Sequence, residues 1–272
     1  MKFLVPYDFS PITRTALDHA LSIQSQVGGD IELLHIIGSE KDRAEAEGGF
    51  TQLLDALDDA DRAKVGTKVR VGDIYTDIAK EADEGDHDLL IMGTHGAKGF
   101  QKLFGSRALK VITSAQTPFI VTQKKGPEDS IKKIVMPIDL QKESVQIIRF
   151  AADLAERFES EIHLVTPQET DEWLLKKIQT NIYNAKDYLD KRGVRYQVNE
   201  VEGDGSFGKE VIDYGAKYRA DMFAITYFTE SILPQFETFA QDIITNKFEI
   251  PTLIVNTVQV DDINTNFTFI GM

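Results

Sequence analysis

The feature that most constrains this chain is an internal repeat. The segment LVPYD at 4–8 matches VMPID at 135–139, at an offset of 131 residues. Later in each half, TPFIV around Pro118 matches IPTLIV around Pro251 at an offset of 133 residues. A sequence that repeats itself at half its length predicts two copies of one fold rather than one large domain.

The repeat also predicts where the domains begin and end. We expect an N-terminal domain at 1–124, a polar linker at 125–132, a C-terminal domain at 133–258 and a tail at 259–272. The linker is assigned because this segment is polar and contains one glycine and one proline.

Each half alternates short apolar runs with segments of helical pattern. In the first half the runs KFLVPY, DIELLHII, KVRVG, DLLIMG and TPFIVT are predicted strands, and the stretch from Lys41 to Ala63 is predicted to be helical. Apolar runs without polar alternation are typical of parallel strands covered on both faces. The sequence therefore predicts an α/β protein with two tandem, doubly wound, parallel five-stranded sheets, each an α/β/α sandwich.

Four glycines follow the fourth apolar run, in GTHGAKGFQKLFGS at 93–106. Glycine costs conformational entropy, so a cluster is expected where the backbone turns or where a ligand approaches it closely. In a parallel sheet this loop and the loop that carries Asp8 leave the same carboxyl edge, where ligands bind. Turn chemistry and phosphate binding both explain the glycines at this point.

This arrangement resembles the universal stress protein family. Its nucleotide-binding members carry the pattern G-x-x-G-x9-G-[ST], and Gly93, Gly96, Gly105 and Ser106 match it in type and order. One departure is that eight residues, not nine, separate Gly96 from Gly105. The resemblance covers essentially the whole chain and implies an adenine nucleotide alpha-hydrolase-like fold for both halves.

The resemblance implies a site for ATP or another adenine nucleotide, with Mg²⁺ as an optional partner, in the N-terminal half. Asp8 would accept the adenine amino group, although it is also placed to cap the helix near Pro11, where Ser10 is the better cap. The backbone of Ile36, just past the second strand, would meet the adenine edge, and Met92 would lie against the ribose or base.

The phosphates are expected at the glycine-rich segment. Its expected contacts are Gly93, His95, Gly96, Gly105 and Ser106. No Ser or carboxylate is spaced to form a triad with His95, so this histidine is assigned to phosphate binding and no catalytic residue is assigned.

The second half lacks these residues. Thr226, Tyr227 and Phe239 stand where Gly93, Thr94 and Ser106 stand in the first half. Asp139 matches Asp8 but is expected to be a cap or polar loop residue, so the second half is predicted to be structural or partner-binding. The segment GDGSFG at 203–208 imitates a dinucleotide fingerprint, but it follows the third strand of its half and is predicted to be a turn.

Composition excludes several classes of function. The chain has 30 Lys and Arg against 44 Asp and Glu, for a net charge of −14, which argues against binding to nucleic acid or anionic membranes. It has no cysteine, and its five histidines lack metal-ligand spacing, so no disulfide or metal centre is expected. Without a signal peptide or a run long enough to span a bilayer, a cytoplasmic location is expected.

The leading hypothesis is a stress-response module that binds an adenine nucleotide, acts on unidentified protein partners and hydrolyses the nucleotide slowly at most. The alternative is a scaffold, or a protein that binds another small molecule or a lipid. The acid and base groups of a dedicated enzyme are missing. By the resemblance, the two halves form an intramolecular pseudo-dimer, and a homodimer of chains is a further assembly that it allows.

Overall fold

The chain divides into two compact units. The computed structural model describes residues 1–94, 115–202, 206–227 and 234–256. The division between the units falls between Pro127 and Glu128, inside the predicted linker. This division marks the boundary between the units but not the ends of the linker or of the C-terminal domain, so the domain bounds given above stay predictions.

The N-terminal unit alternates strands and helices. Its strands are β1 (Lys2–Pro6), β2 (Asp30–Ile37), β3 (Val65–Val71), β4 (Leu89–Gly93) and β5 (Phe119–Thr122). Its described helices are α1 (Pro11–Val27), α2 (Arg43–Asp55), α3 (Asp59–Arg62) and α4 (Ile74–Glu84), with a 3-10 turn at Glu40–Asp42.

Two elements of this unit differ from the sequence prediction. β3 begins at Val65, three residues before the run KVRVG, because Val65 is already paired with Ile31 of β2. Strand pairing here overrides the weak strand propensity of Gly66. The helical stretch from Lys41 to Ala63 is divided into α2 and α3, since the side chain of Asp58 starts a new helix by accepting a hydrogen bond from the Asp61 amide at 2.8 Å.

The N-terminal sheet has the strand order β3-β2-β1-β4-β5, and its pairings are parallel. The chain runs outward from β1 to β3 and then returns to the other side of β1 with β4. The loops after β1 and β4 therefore leave the sheet in opposite directions and open a crevice between them. The centre of β1 is fully buried, with Phe3, Leu4 and Val5 at 0% exposure.

The C-terminal unit repeats this architecture. Its strands are β6 (Lys133–Pro137), β7 (Glu161–Pro167), β8 (Arg195–Val201), β9 (Met222–Tyr227) and β10 (Thr252–Asn256). Its described helices are α5 (Ile148–Phe158), α6 (Glu172–Arg192), α7 (Phe207–Tyr218) and α8 (Pro234–Ile244), with a 3-10 turn at Lys142–Val145. Its parallel strands have the order β10-β9-β6-β7-β8, so the predicted fold class is confirmed in both units.

One anchoring contact occurs in both units. The Asp88 carboxylate, before β4, accepts a hydrogen bond from the Lys2 amide at 2.7 Å. The Asp221 carboxylate, before β9, accepts one from the Lys133 amide at 2.9 Å. Both aspartates join the start of a central strand to its neighbour, so Asp221 has a structural role in holding β6 beside β9. Within the described part of the chain, no helix is both long enough and apolar enough to cross a bilayer.

Candidate functional site

The carboxyl ends of β1 and β4 bring the predicted residues of the N-terminal unit together. β1 pairs with β4 through Phe3 with Leu89 and Leu4 with Leu90, so both strands point the same way. The loop after β1 carries Asp8, and β4 ends at Gly93. Parallel pairing is the physical reason that residues so far apart in sequence share one edge.

Asp8 orders the loop before α1. Its Oδ1 atom accepts hydrogen bonds from the Ser10 amide and the Thr13 hydroxyl, each at 2.9 Å. Desolvation raises the pKa of Asp8, but its interactions with the Ser10 side chain, the Ser10 amide and the Thr13 hydroxyl outweigh it, and the pKa lies below its usual value. Ser10 is the helix cap, as expected, through a long hydrogen bond of 3.4 Å from the Thr13 amide. Asp8 is thus an exposed, charged acceptor, and the two 2.9 Å hydrogen bonds to its carboxylate are both made to Oδ1.

Ile36 lies inside β2, not just past it as the sequence suggested. The strand continues to Ile37 because β3 runs alongside it, with Ile37 opposite Val71. The Leu34 carbonyl accepts a hydrogen bond from the Tyr7 amide, whereas the Ile37 carbonyl accepts one from Gly72 on the other side. Backbone groups alternate in direction along a strand, so those of Ile36 point toward the β1 side, beyond the last residue of β1.

Gly93 is needed for packing. A Cβ atom at this position would lie 2.5 Å from the carbonyl oxygen of Ile12, in the first turn of α1. The glycine therefore lets the end of β4 approach the start of α1. Met92, one residue earlier, is 6% exposed, and its carbonyl accepts a hydrogen bond from the Thr122 hydroxyl at 3.4 Å.

Thr94 was missed by the sequence interpretation. It is 1% exposed, and its amide donates to the Thr122 carbonyl at 2.8 Å. Its Oγ1 atom is buried and has no hydrogen-bond partner among the described residues. A buried hydroxyl without a partner is costly, so this position is suited to a polar partner such as a water molecule or a ligand oxygen.

A cavity of about 850 Å³ opens beside Ile36. Phe9 forms part of its wall and has φ of 65°, a conformation that costs a residue with a side chain about 1–2 kcal/mol. Its ring lies 5.0 Å from the ring of His35 and 5.1 Å from that of Phe50. The sequence interpretation missed Phe9, although its position directly after Asp8 was a usable signal. The remaining cavity-lining residues are Ile37, Gly38, Asp42, Ala44, Glu45, Ala46, Gly48, Gly49 and Gln52, with His35 and Ile36.

The other predicted contacts, His95, Gly96, Gly105 and Ser106, lie outside the described residues. Their assignment to the phosphates therefore stays a prediction. Among the described residues, no group of three or more His, Cys, Asp or Glu side chains is arranged to hold a metal ion.

The same edge of the C-terminal unit is built differently. Asp139 makes the same turn as Asp8, since its Oδ1 atom accepts a hydrogen bond from the Gln141 amide at 2.9 Å. Its loop is held from α6, because the Asn181 amide donates to the Asp139 carbonyl at 2.8 Å. Tyr227, in the position of Thr94, is 2% exposed.

Aromatic packing continues along this unit. Phe239 stacks on Phe207, with ring centroids 5.8 Å apart. Ser206, the described residue before Phe207, caps α7 by accepting from the Lys209 amide at 3.4 Å. Large side chains thus stand at positions 227 and 239, where the sequence of the first unit has Thr94 and Ser106, and the loss of the site in this unit stays a prediction. Residues 203–205 of GDGSFG lie outside the described part of the chain.

Known proteins resemble this chain in sequence and in fold. Residues 1–123 match the model of the universal stress protein family. Universal stress protein MJ0531 of Methanocaldococcus jannaschii is 25% identical, over 47% of this chain and 84% of that protein. The crystal structure of a universal stress protein from Archaeoglobus fulgidus has the same fold, with a TM-score of 0.74 at 14% identity over 95% of this chain and 97% of that chain.

A shorter solved structure aligns with about half of the chain. It is the universal stress protein from Archaeoglobus fulgidus in complex with dAMP, with a TM-score of 0.38 at 14% identity over 46% of this chain and 96% of that chain. The match to the family model is confined to residues 1–123. In sequence, the N-terminal half of the chain is therefore similar to universal stress proteins.

Proposed function

We propose that the N-terminal unit binds ATP or a related adenine nucleotide at the carboxyl ends of β1 and β4, and that the protein acts as a nucleotide-dependent regulatory module. The observation that carries the proposal is the exposed carboxylate of Asp8, whose neighbour in sequence, Phe9, lines a cavity of about 850 Å³, in a unit that matches a family model over residues 1–123.

The described residues fit an adenine base. The charged Asp8 carboxylate accepts hydrogen bonds only, and the adenine amino group is a donor. The backbone of Ile36 points beyond the end of β1, where it can exchange hydrogen bonds with the edge of a base. The cavity also has a suitable size, because pockets for small ligands and cofactors range from about 300 to 1,000 Å³.

The charges around the site favour one orientation of the ligand. Asp42 and Glu45 line the cavity, and its described lining includes no Lys or Arg. Carboxylates repel phosphate and attract amino groups, so the cavity suits the base. The phosphates would lie toward Thr94, whose buried hydroxyl lacks a partner, and toward the glycine-rich segment that follows it. The nucleotide would supply its phosphate charge, and with it a place for Mg²⁺.

A regulatory role is favoured over dedicated catalysis. The titratable groups at the described edge and cavity include Asp8, His35, Asp42 and Glu45, and of these Asp8 and His35 already make hydrogen bonds within the protein. His35 Nδ1 lies 2.6 Å from the Tyr7 carbonyl. We therefore propose binding with slow hydrolysis at most, since no described acid and base pair is placed at the phosphates.

The proposal is tested by Asp8→Asn. Asparagine keeps an oxygen for the Ser10 and Thr13 hydrogen bonds but replaces the other oxygen with a donor, which repels the adenine amino group. A hydrogen bond to a charged group contributes about 1.5–3 kcal/mol, so we expect ATP affinity to fall at least about tenfold. Isothermal titration calorimetry with ATP and Mg²⁺ measures this change, after acid extraction has shown what nucleotide the purified protein carries.

Asp139→Asn is the matched control. It makes the same change in the same kind of turn of the C-terminal unit, so ATP affinity should stay unchanged. Equal losses in the two variants would show a general effect on folding and contradict the assignment of Asp8. A wild-type protein that carries no nucleotide and takes up none would overturn the proposal and favour a scaffold or another small ligand.

A further inference from the structure

We infer that Phe9 determines the specificity of this site: its ring is an aromatic wall against which the bound base stacks, so that a purine is selected over a pyrimidine. The inference rests on the proposed function, because it assigns a residue and a ligand preference to the same site. The proposed contact is stacking of the base on the face of the Phe9 ring, which needs no hydrogen bond.

The first observation is that Phe9 is held in an unfavourable conformation. With φ of 65°, a bulky residue occupies the left-handed region that usually belongs to glycine. Residues in such regions persist only where the surrounding structure holds them, and they cluster at functional sites. A loop that needed only a turn at this position would be better served by glycine.

The second observation is how the ring is positioned. Its neighbours are Tyr7 at 5.4 Å, His35 at 5.0 Å and Phe50 at 5.1 Å between ring centroids. The helix α2 comes close at Gly49, where a Cβ atom would lie 2.8 Å from Phe9 Cε1. The ring is therefore supported by an aromatic cluster and by the only residue type small enough at position 49.

The third observation is that the ring stays accessible. Phe9 is 39% exposed and lines the cavity of about 850 Å³. Gly38, Ala44 and Gly48 line the same cavity and leave room for a flat ligand. An aromatic ring that is held by its neighbours and lines a cavity can serve as a stacking platform for a base.

The ligand preference follows from surface area. A two-ring purine covers more of the phenyl face than a one-ring pyrimidine, so stacking contributes more to its affinity. We therefore expect the wild-type protein to bind ATP more tightly than UTP. Because the two nucleotides share the ribose and the triphosphate, their affinity ratio isolates the contribution of the base.

The main test is Phe9→Gly, measured by calorimetric titration with ATP and with UTP. Glycine accepts a positive φ without strain, so the variant removes the ring while favouring the native backbone. Loss of a stacked aromatic weakens binding of a base by about 5-fold to 100-fold, so we expect a loss of this size for ATP and a smaller loss for UTP. The ATP to UTP affinity ratio should fall, and far-ultraviolet circular dichroism should show an unchanged fold.

A second pair of variants moves the ring without removing it. Gly49→Ala places a methyl group against the Phe9 ring, whereas Gly126→Ala adds the same group outside the cavity lining, where nothing lies within 4 Å. We expect Gly49→Ala to weaken ATP binding and lower the ATP to UTP ratio, and Gly126→Ala to leave both unchanged.

The outcomes separate this inference from the proposed function. Wild-type protein that binds ATP, with a Phe9→Gly variant that keeps both the affinity and the base preference, overturns the role of Phe9 and leaves the nucleotide site standing. Equal weakening by Gly126→Ala and Gly49→Ala also counts against the ring, because only Gly49→Ala places a methyl group against it. Wild-type protein that ignores both nucleotides overturns the proposed function itself.

Discussion

Buried histidines show how single residues depend on the fold. His19, in α1, is 6% exposed, and its Nε2 atom lies 3.0 Å from the Lys125 carbonyl. Since a carbonyl only accepts, Nε2 carries the proton and donates. Burial lowers the pKa of His19, and desolvation is also the main reason that the pKa values of His87 and His163 are lowered. None of these assignments was available from sequence spacing, which marked the histidines only as unsuited to metal.

These shifts predict a loss of stability in mild acid. A histidine whose folded pKa is lowered takes up a proton first in the unfolded chain, as the pH falls through its ordinary value of about 6.5. We therefore expect the free energy of unfolding to be greatest above this pH and to decrease from about pH 8 to about pH 5.

The contribution of one histidine can be isolated. His19→Gln keeps a donor near the Lys125 carbonyl but has no proton to take up, so the decrease should become shallower while His87 and His163 maintain part of it. Urea denaturation at several pH values measures the slope. An identical slope in the wild type and in His19→Gln would contradict the assignment.

At the scale of the elements, the contact between β4 and α1 explains a glycine that the sequence assigned to ligand binding. Gly93 closes the gap to Ile12, so its lack of a side chain serves helix packing. The neighbouring hydroxyl of Thr94 is buried and has no hydrogen-bond partner in the described part of the chain, so under the proposed function it is a candidate for a polar ligand contact. Gly93 matches the first glycine of the family pattern, and the packing of α1 against β4 by itself also requires a glycine at this position.

Gly93→Ala should consequently destabilise the fold even without a ligand. Its methyl group would lie 2.5 Å from the Ile12 carbonyl oxygen and force a backbone shift. Overpacking of this kind costs about 1–3 kcal/mol of unfolding free energy, measurable by urea denaturation followed by circular dichroism. Gly126→Ala is the control, since a Cβ atom there meets nothing within 4 Å and should change stability by less than about 0.5 kcal/mol. Equal stability in the two variants would show that β4 and α1 can separate at no cost.

At the scale of the whole molecule, both units have the same fold but carry different side chains at the carboxyl ends of their strands. Both units have the same strand order and the same aspartate turn after their first strand. In the first unit a cavity opens next to this turn, whereas in the second Asn181 holds the corresponding loop and Tyr227 is buried. The two units therefore share one backbone arrangement and differ in the side chains at this edge.

This difference predicts one nucleotide per chain. Titration of the full chain with ATP should give a stoichiometry near one, as should acid extraction of nucleotide that co-purifies. The Asp8→Asn variant should lower affinity without revealing a second site. A stoichiometry of two would contradict the loss of the second site and require a different ligand-binding edge in the C-terminal unit.

The sequence by itself determined the parallel α/β class, and it predicted the duplication and the loops at which a ligand would bind. It could do so because apolar runs, glycine clusters and repeats are local patterns, and because parallel sheets place their carboxyl ends at one edge. The tertiary structure alone decided the neighbours of each side chain. Ile36 became part of β2 because β3 continues beside it, and Gly93 was explained by the approach of α1. The aromatic neighbours of Phe9 include His35 in β2 and Phe50 in α2. Such contacts join residues that are distant in sequence, so no local pattern records them.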